Sequence, residues 1–140
     1  MTKHNISKKR KEQIVKEISS QLNKRKTVIF SYIFGSFVTD DKFSDIDIGV
    51  FCTEKISKEP LDFEFELEEE IKSLTKFPVD VRVINHAPLS FVYRVVKEGI
   101  LIADKDIGKR TDFEGMIFKK YMDFAIYRKR YLKEVMNAPI

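Results

Sequence analysis

The chain has 140 residues, of which 43% are hydrophobic and 34% charged, and 26 basic against 22 acidic residues give a net charge of +4. This length predicts one domain, and the composition is typical of a soluble globular protein. No apolar stretch approaches the ~20 residues that a membrane-spanning helix needs, and the N-terminus lacks the apolar segment of a secretory signal. The single Cys52 cannot form an internal disulfide, so we expect a cytoplasmic protein.

Charge is unevenly distributed along the chain. Residues 1–26 hold nine basic and two acidic residues, whereas residues 62–70 hold six acidic residues and no basic one. A basic amphipathic helix can contact a phosphate backbone, but a solvated helix face is the interpretation we favour. The small net charge does not indicate a nucleic-acid-binding protein.

Hydrophobic periodicity predicts the elements of the first half. Ser7 is expected to cap a helix whose apolar residues share one face. The apolar run TVIFSYIF at 27–34 predicts a central strand buried on both faces, and residues 45–51 predict a second strand. Residues 62–75 begin with a period of two, but their glutamates and length favour a helix.

The second half continues to alternate strands and helices. The segment PVDVRVI at 78–84 predicts a third strand, and residues 88–96 predict a short helix that Gly99 ends. Residues 100–103 predict a fourth strand. We find no internal repeat and no linker, so the sequence predicts a single α/β domain over residues 1–140.

A long terminal helix is predicted over residues 111–136, with Thr111 or Asp112 as its N-cap. Its apolar residues cover more than one helical stripe. We assign one stripe to the core, namely Phe113, Ile117, Phe124 and Tyr131. We interpret the excess as an oligomer or partner contact, namely Phe118, Tyr121 and Met122. Extra core packing and a surface for stacking single-stranded bases are the alternatives.

Three aspartates are predicted to share one face of the sheet. Side chains alternate along a strand, so Asp45 and Asp47 lie on one face, roughly 6–7 Å apart, and isoleucines and a valine lie on the other. In the third strand Asp80 is opposite the valine face, which places it with the pair. Three carboxylates there would raise one another's pKa, a conflict that a hard divalent cation removes. The alternative is a set of solvated aspartates on an open sheet face.

Gly35 and Ser36 follow the central strand directly. A glycine there lets backbone N–H groups approach a ligand, the next turn can offer donors to a phosphate, and Ser36 adds a hydroxyl. Such a pair alone is most often a plain turn, but with Asp45 and Asp47 on the next strand it is a much more specific signal. The sequence has no Walker A motif and no second ligand at zinc spacing from either histidine.

The series Gly35–Ser36, Asp45-x-Asp47 and Asp80 resembles the polymerase-β-type nucleotidyltransferase fold. Within it, the chain is most similar to the minimal nucleotidyltransferase (MNT) family, the antitoxin partners of HEPN toxins in prokaryotes. The stretch FVYRVVKEGILIADKD and the aromatic-rich terminal helix also resemble the usual ending of that family. The resemblance therefore covers most of the chain.

One feature departs from the family pattern. Eight residues separate Ser36 from Asp45, whereas a longer loop is common in the family, often with an arginine soon after the serine. Here the first basic residue after Ser36 is Lys42. Positive charge for a leaving pyrophosphate could come from Lys42, Arg82 or Arg110.

The resemblance implies a small mixed sheet flanked by helices, with a long C-terminal helix. It implies that Gly35 and Ser36 hold the phosphates of ATP, that Asp45 and Asp47 bind Mg²⁺, and that Asp80 is the third catalytic and metal-binding carboxylate. It also implies transfer of AMP to a tyrosine of a HEPN toxin within a hetero-oligomer. Two alternatives stay open: an antitoxin that neutralises by binding alone, and a transferase acting on a small molecule.

Overall fold

The structure, a computed structural model, describes residues 2–54 and 59–137. Helices flank a four-stranded sheet, and a separate two-stranded ribbon joins the N-terminus to the loop before the second long strand. The elements in chain order are β1 (His4–Asn5), α1 (Lys8–Lys24), β2 (Val28–Phe34), α2 (Ser36–Thr39), β3 (Lys42–Phe43), β4 (Ile46–Cys52), α3 (Pro60–Thr75), β5 (Val79–Val83), α4 (Leu89–Glu98), β6 (Ile100–Asp104) and α5 (Ile107–Asn137).

The four longer strands form one mixed sheet in the order β5–β4–β2–β6. Strand β2 is antiparallel to both of its neighbours, whereas β4 and β5 are parallel. Every residue of β2 is buried. The prediction of a central strand is confirmed, because only a strand with neighbours at both sides and cover on both faces can bury a continuous apolar run.

Each face of the sheet has its own hydrophobic core. The core under α1 and α3 includes Ile14, Ile18, Leu22, Ile46, Ile48, Val50, Leu67 and Ile71. The core under α4 and α5 includes Phe30, Tyr32, Phe34, Ile84, Val92, Val95, Phe113 and Ile117. The second core occupies the same face as Asp47, so this face is partly covered by helices and is not the open surface that the alternative interpretation required.

Helix α1 confirms the predicted cap and apolar face. The hydroxyl of Ser7 accepts a hydrogen bond from the backbone N–H of Arg10 at 3.1 Å. Arg25, just after the helix, pairs with Glu66 and Glu70 of α3, so part of the basic N-terminal charge is neutralised by the acidic segment inside the molecule.

Two other glutamates of α3 contact the backbone of β5. The carboxylate of Glu68 accepts a hydrogen bond from the N–H of Val81 at 2.9 Å, and Glu64 accepts one from the N–H of Val83 at 2.8 Å. The helix that the glutamates and the length of residues 62–75 predicted is therefore confirmed, and Glu64 and Glu68 tie that helix to the sheet.

Helix α5 begins at Ile107, earlier than predicted, so the assignment of Thr111 or Asp112 as its N-cap is wrong. Asp106 makes the capping contact, because its Oδ1 accepts a hydrogen bond from the N–H of Lys109 at 3.1 Å. Thr111 lies within the first turns and donates its hydroxyl to the carbonyl of Ile107.

Only the first half of α5 packs in the core. Phe113 and Ile117 are buried, but Phe124 is 48% exposed and Tyr131 56% exposed, so the predicted core stripe is wrong for these last two residues. The reason is length: a 31-residue helix extends about 46 Å, whereas a seven-residue strand spans about 23 Å. The sheet ends before the helix does.

The three residues assigned to a partner surface differ in their surroundings. Tyr121 stacks on Tyr93 of α4 at 3.7 Å between ring centroids, and Phe118 contacts the same ring edge-on at 5.5 Å. Met122 is 57% exposed. Packing within the domain thus accounts for much of Tyr121, which favours the alternative of extra core packing for that residue.

Candidate active site

The candidate site lies where β2 ends and β4 begins. Asp47 is paired with Phe34, the last residue of β2, and in the parallel ladder it is opposite Asp80 of β5. Asp45 precedes β4 by one residue, and its charge and that of Asp80 both act on Asp47. The structure therefore places Asp80 directly beside Asp47, and Asp45 close enough for its charge to act on Asp47.

Gly35 and Asp47 touch each other across the two strands. The backbone of Gly35 has φ of 81° and ψ of −159°, a combination that is essentially restricted to glycine. A Cβ atom at this position would lie 2.3 Å from Oδ2 of Asp47. The turn at Gly35 and the carboxylate of Asp47 can therefore pack together only because residue 35 is a glycine.

The turn after Gly35 is the short helix α2, which the sequence did not predict. The carbonyl of Gly35 accepts hydrogen bonds from the N–H groups of Val38 and Thr39. Lys11 of α1 donates its ammonium to the carbonyl of Phe37 at 2.8 Å and to that of Asp40 at 2.9 Å. The first helix thus holds the shortened loop in place from outside.

The surroundings of Asp47 disfavour its ionised form. Burial, followed by the negative charges of Asp45 and Asp80, raises the pKa of Asp47 from 3.8 to about 6, although Arg82 and Arg94 act in the opposite direction. A half-buried carboxyl held among like charges is a common feature of catalytic and cation-binding sites.

A family model described as "Polymerase beta, Nucleotidyltransferase" matches residues 16–108, which contain Gly35, Ser36 and all three aspartates. The chain belongs to this nucleotidyltransferase family. The fold predicted from the resemblance is therefore confirmed, with a small mixed sheet, flanking helices and a long C-terminal helix. No curated protein matches the sequence.

Several solved toxin–antitoxin complexes contain a chain with the fold of this nucleotidyltransferase. The complex of tri-AMPylated Shewanella oneidensis HEPN toxin with MNT antitoxin gives a TM-score of 0.67 at 20% identity, over 89% of this chain and 98% of that chain. A toxin–antitoxin complex with AMP-PNP gives 0.68 at 21% identity, over 86% and 98%. The MntA–HepT complex gives 0.63 at 21% identity, over 93% and 99%.

Two arginines on different elements lie near the carboxylates of the nucleotidyltransferase. Arg82 lies on β5 with Nε 3.4 Å from Oδ1 of Asp80. Arg94, on α4, also acts on Asp47, and sequence reasoning missed it. The one sequence feature that could have indicated Arg94 is its position within FVYRVVKEGILIADKD, a stretch that resembles the family.

Arg110 is not part of the site. Its guanidinium pairs with Asp104 at 2.7 Å and with Glu114 at 2.8 Å. Asp104 is opposite Phe30 in the sheet, toward the end of β2 that is far from Gly35. Of the two arginine candidates, Arg82 is thus the one that the structure places against a carboxylate of the site.

The donor set suits a hard cation such as Mg²⁺. Among residues 2–54 and 59–137, no three or more His, Cys, Asp or Glu side chains form a group that could hold a metal ion, so Asp45, Asp47 and Asp80 do not make a three-carboxylate cage. Mg²⁺ does not require such a cage, because it usually binds one or two carboxylates and completes its shell with water and substrate phosphates. The raised pKa of Asp47 fits that role, since a cation would offset the repulsion among the carboxylates.

The stability of the nucleotidyltransferase should depend on pH through Asp47. The folded protein holds the Asp47 proton more tightly than the unfolded chain does, so the free energy of unfolding should fall as pH rises from 3.8 to about 6. In Asp47→Asn this loss is absent. We expect the variant to be more stable than wild type by about 1 kcal/mol above this range, a value reduced for partial exposure, and equal to it below the range.

Urea unfolding of both proteins without divalent cations, at pH values below 3.8 and above 6, measures this difference. If the difference in free energy of unfolding between wild type and Asp47→Asn is the same at every pH, the assignment is wrong. A group with the same pKa in the folded and unfolded states contributes no pH dependence to stability.

Proposed function

We propose that this protein is a Mg²⁺-dependent adenylyltransferase that transfers AMP from ATP to a tyrosine of a HEPN-type toxin and thereby acts as the antitoxin in the cytoplasm. The observation that carries the proposal is the contact between Gly35 and Asp47, with Asp80 in register beside them. This contact supports the proposal because it brings the turn that would bind the phosphates next to the carboxylates. A tri-AMPylated toxin in one complex of the same fold supports the choice of reaction.

The turn binds the phosphates in this proposal. Gly35 has no side chain, so a phosphate oxygen can approach the backbone, and Ser36 offers a hydroxyl that can donate to it. Lys11 keeps the turn fixed through the carbonyls that follow it. A rigid turn lowers the entropy that the protein loses when the nucleotide binds.

Asp45 and Asp47 would hold Mg²⁺, and Asp80 completes the carboxylate set. When bound, the ion neutralises charge on the phosphates and orients them. The tyrosine oxygen attacks the α-phosphorus, a new phosphorus–oxygen bond forms, and the bond from the α-phosphorus to the oxygen shared with the β-phosphate breaks. Asp80 accepts the hydroxyl proton. Pyrophosphate leaves toward the positive charges of Arg82 and Arg94.

The test uses the purified partner toxin with ATP labelled on either the α- or the γ-phosphate. AMP transfer predicts that a toxin tyrosine retains the α-label and never the γ-label, and that the reaction stops when a chelator removes divalent cations. The toxin should lose its activity in step with labelling.

Neutralisation of the toxin without any label would instead support the alternative of an antitoxin that acts by binding alone. Label that appears on an added small molecule in the absence of toxin would support the small-molecule transferase. Retention of the γ-label would identify a phosphotransferase and contradict the proposed reaction.

A further inference from the structure

The outer half of α5, residues 119–137, extends away from the rest of the domain. None of these residues is buried, although the helix is continuous to Asn137. Large apolar side chains on this segment are about half exposed or more, namely Met122, Phe124, Ile126, Tyr127, Tyr131, Leu132, Val135 and Met136. An isolated helix that exposes so much apolar surface is typical of one that contacts another molecule.

Three of these eight residues, Phe124, Tyr131 and Val135, lie on a coiled-coil repeat. Starting from the buried Ile117, alternating steps of four and three residues lead to the following seam: Tyr121, Phe124, Arg128, Tyr131 and Val135. This is the a/d spacing of a heptad, which keeps one stripe facing a partner helix. Within the domain the stripe is covered at Ile117 and by Tyr93 at Tyr121. From Phe124 outward nothing in the described part of the chain covers it.

The outer half of α5 carries a groove between its side chains. It has a volume of about 270 Å³ and is lined by Tyr121, Phe124, Ala125, Arg128, Lys129 and Leu132. In a coiled coil, each side chain of one helix enters a hole formed by four residues of the other. Tyr121, Phe124, Ala125 and Arg128 have the spacing of one such hole on the seam, and Lys129 and Leu132 extend the groove beside it, so the surface is shaped to receive a side chain of a second helix.

The charge of the outer half identifies the kind of helix that fits. Residues 119–137 contain six basic and two acidic residues, which leaves a net charge of +4 on this segment. Arg128 occupies an a position within the seam itself. A second copy of the same helix would bring basic residues against basic residues, which is destabilising, whereas a helix with carboxylates beside its apolar stripe is complementary.

We propose that residues 119–137 form a coiled-coil pair with an acidic amphipathic helix of a partner protein, in which a carboxylate faces Arg128. Under the proposed function this helix belongs to the toxin, so the identity of the partner rests on that function. The chemistry of the helix does not, because it follows from the seam and the charges of α5.

A synthetic helix tests the surface without knowledge of the partner. The probe is a fluorescein-labelled peptide of about three heptads with leucine at a and d and glutamate at the flanking positions; a matched peptide carries lysine in place of glutamate. The full-length protein should bind the glutamate peptide at least about tenfold more tightly than the lysine peptide. Equal affinity for both peptides, or no binding of either, would overturn the proposal.

Two arginine variants locate the contact. Arg128→Glu, within the seam, should weaken binding of the glutamate peptide about tenfold or more. Arg130→Glu makes the same change of charge two residues away, on the opposite side of the helix, and should bind nearly as well as wild type. If both variants lose binding equally, the attraction is one of overall charge and the seam is not the site. If wild type sediments as a dimer that Arg128→Glu dissociates, a second copy is the occupant and the proposal is wrong.

Experiments with the toxin separate this proposal from the proposed function. Arg128→Glu should weaken capture of the toxin about tenfold or more, whereas Asp47→Asn should leave capture unchanged. Strong capture with no AMP transfer by wild type would contradict the proposed function alone. Undiminished capture by Arg128→Glu would contradict the docking proposal alone.

Discussion

Replacement of both Asp45 and Asp47 by asparagine should lower AMP transfer by about a hundredfold or more, the scale of losing a preorganised electrostatic contact. An asparagine oxygen is neutral and is a poor ligand for Mg²⁺ compared with a carboxylate. The shape of the side chain is nearly unchanged, and the substitutions remove two of the three like charges that now repel. The fold should therefore persist with equal or greater stability, which separates a loss of chemistry from a loss of structure.

The measurement is transfer of the labelled α-phosphate to the toxin, together with residual toxin activity. Asp41→Asn is a matched control, because Asp41 is an exposed aspartate in the same loop region; it should transfer AMP like wild type. If the double variant neutralises the toxin as well as wild type and neither protein transfers label, the antitoxin acts by binding alone and the two carboxylates have no catalytic role.

Replacement of Gly35 by alanine should damage the site even more directly. The new Cβ would lie 2.3 Å from the Asp47 carboxylate, in a backbone conformation that alanine does not tolerate. We expect a loss of stability of about 1–3 kcal/mol from the backbone alone. Binding of ATP should become too weak to detect, because both the turn and Asp47 must move.

Thermal unfolding and calorimetric titration with ATP and Mg²⁺ measure the two effects. Gly115→Ala is the matched control: apart from its chain neighbours and the backbone of its own helix turns, no atom of the described residues lies within 4 Å of the new methyl group, and an alanine within a helix should stabilise the protein by about 0.5–1 kcal/mol. A Gly35→Ala variant that unfolds at the wild-type temperature and binds ATP normally would show that the close contact with Asp47 has no functional role.

Much of the candidate site was predictable because strands have a period of two. Alternation alone places Asp45 and Asp47 on one face and puts Asp80 opposite its valines. The register that sets Asp47 beside Asp80 rather than one residue away was not predictable, since it depends on how β4 and β5 pair. Arg94 was missed for a related reason: its approach depends on the packing of α4 over the sheet.

That packing depends on a residue with no side chain. A Cβ at Gly49 would lie 3.1 Å from both Ile84 and Val95, so the glycine allows α4 to come close. No sequence pattern predicts the close packing of α4 over this glycine. Likewise, the stripe on α5 shows which residues face one way, but it does not show where the sheet beneath Phe124 ends. The two-residue strands β1 and β3 are too short to have any period at all.

The two glutamates that bond to β5 have a consequence for how the protein can associate. Strand β5 is at one edge of the sheet, where unpaired N–H groups are a template for strand addition and aggregation. Glu64 and Glu68 occupy the outward N–H groups of Val83 and Val81. This edge is therefore closed to an incoming strand by two carboxylates of the protein's own helix, so strand addition at β5 would first have to displace Glu64 and Glu68.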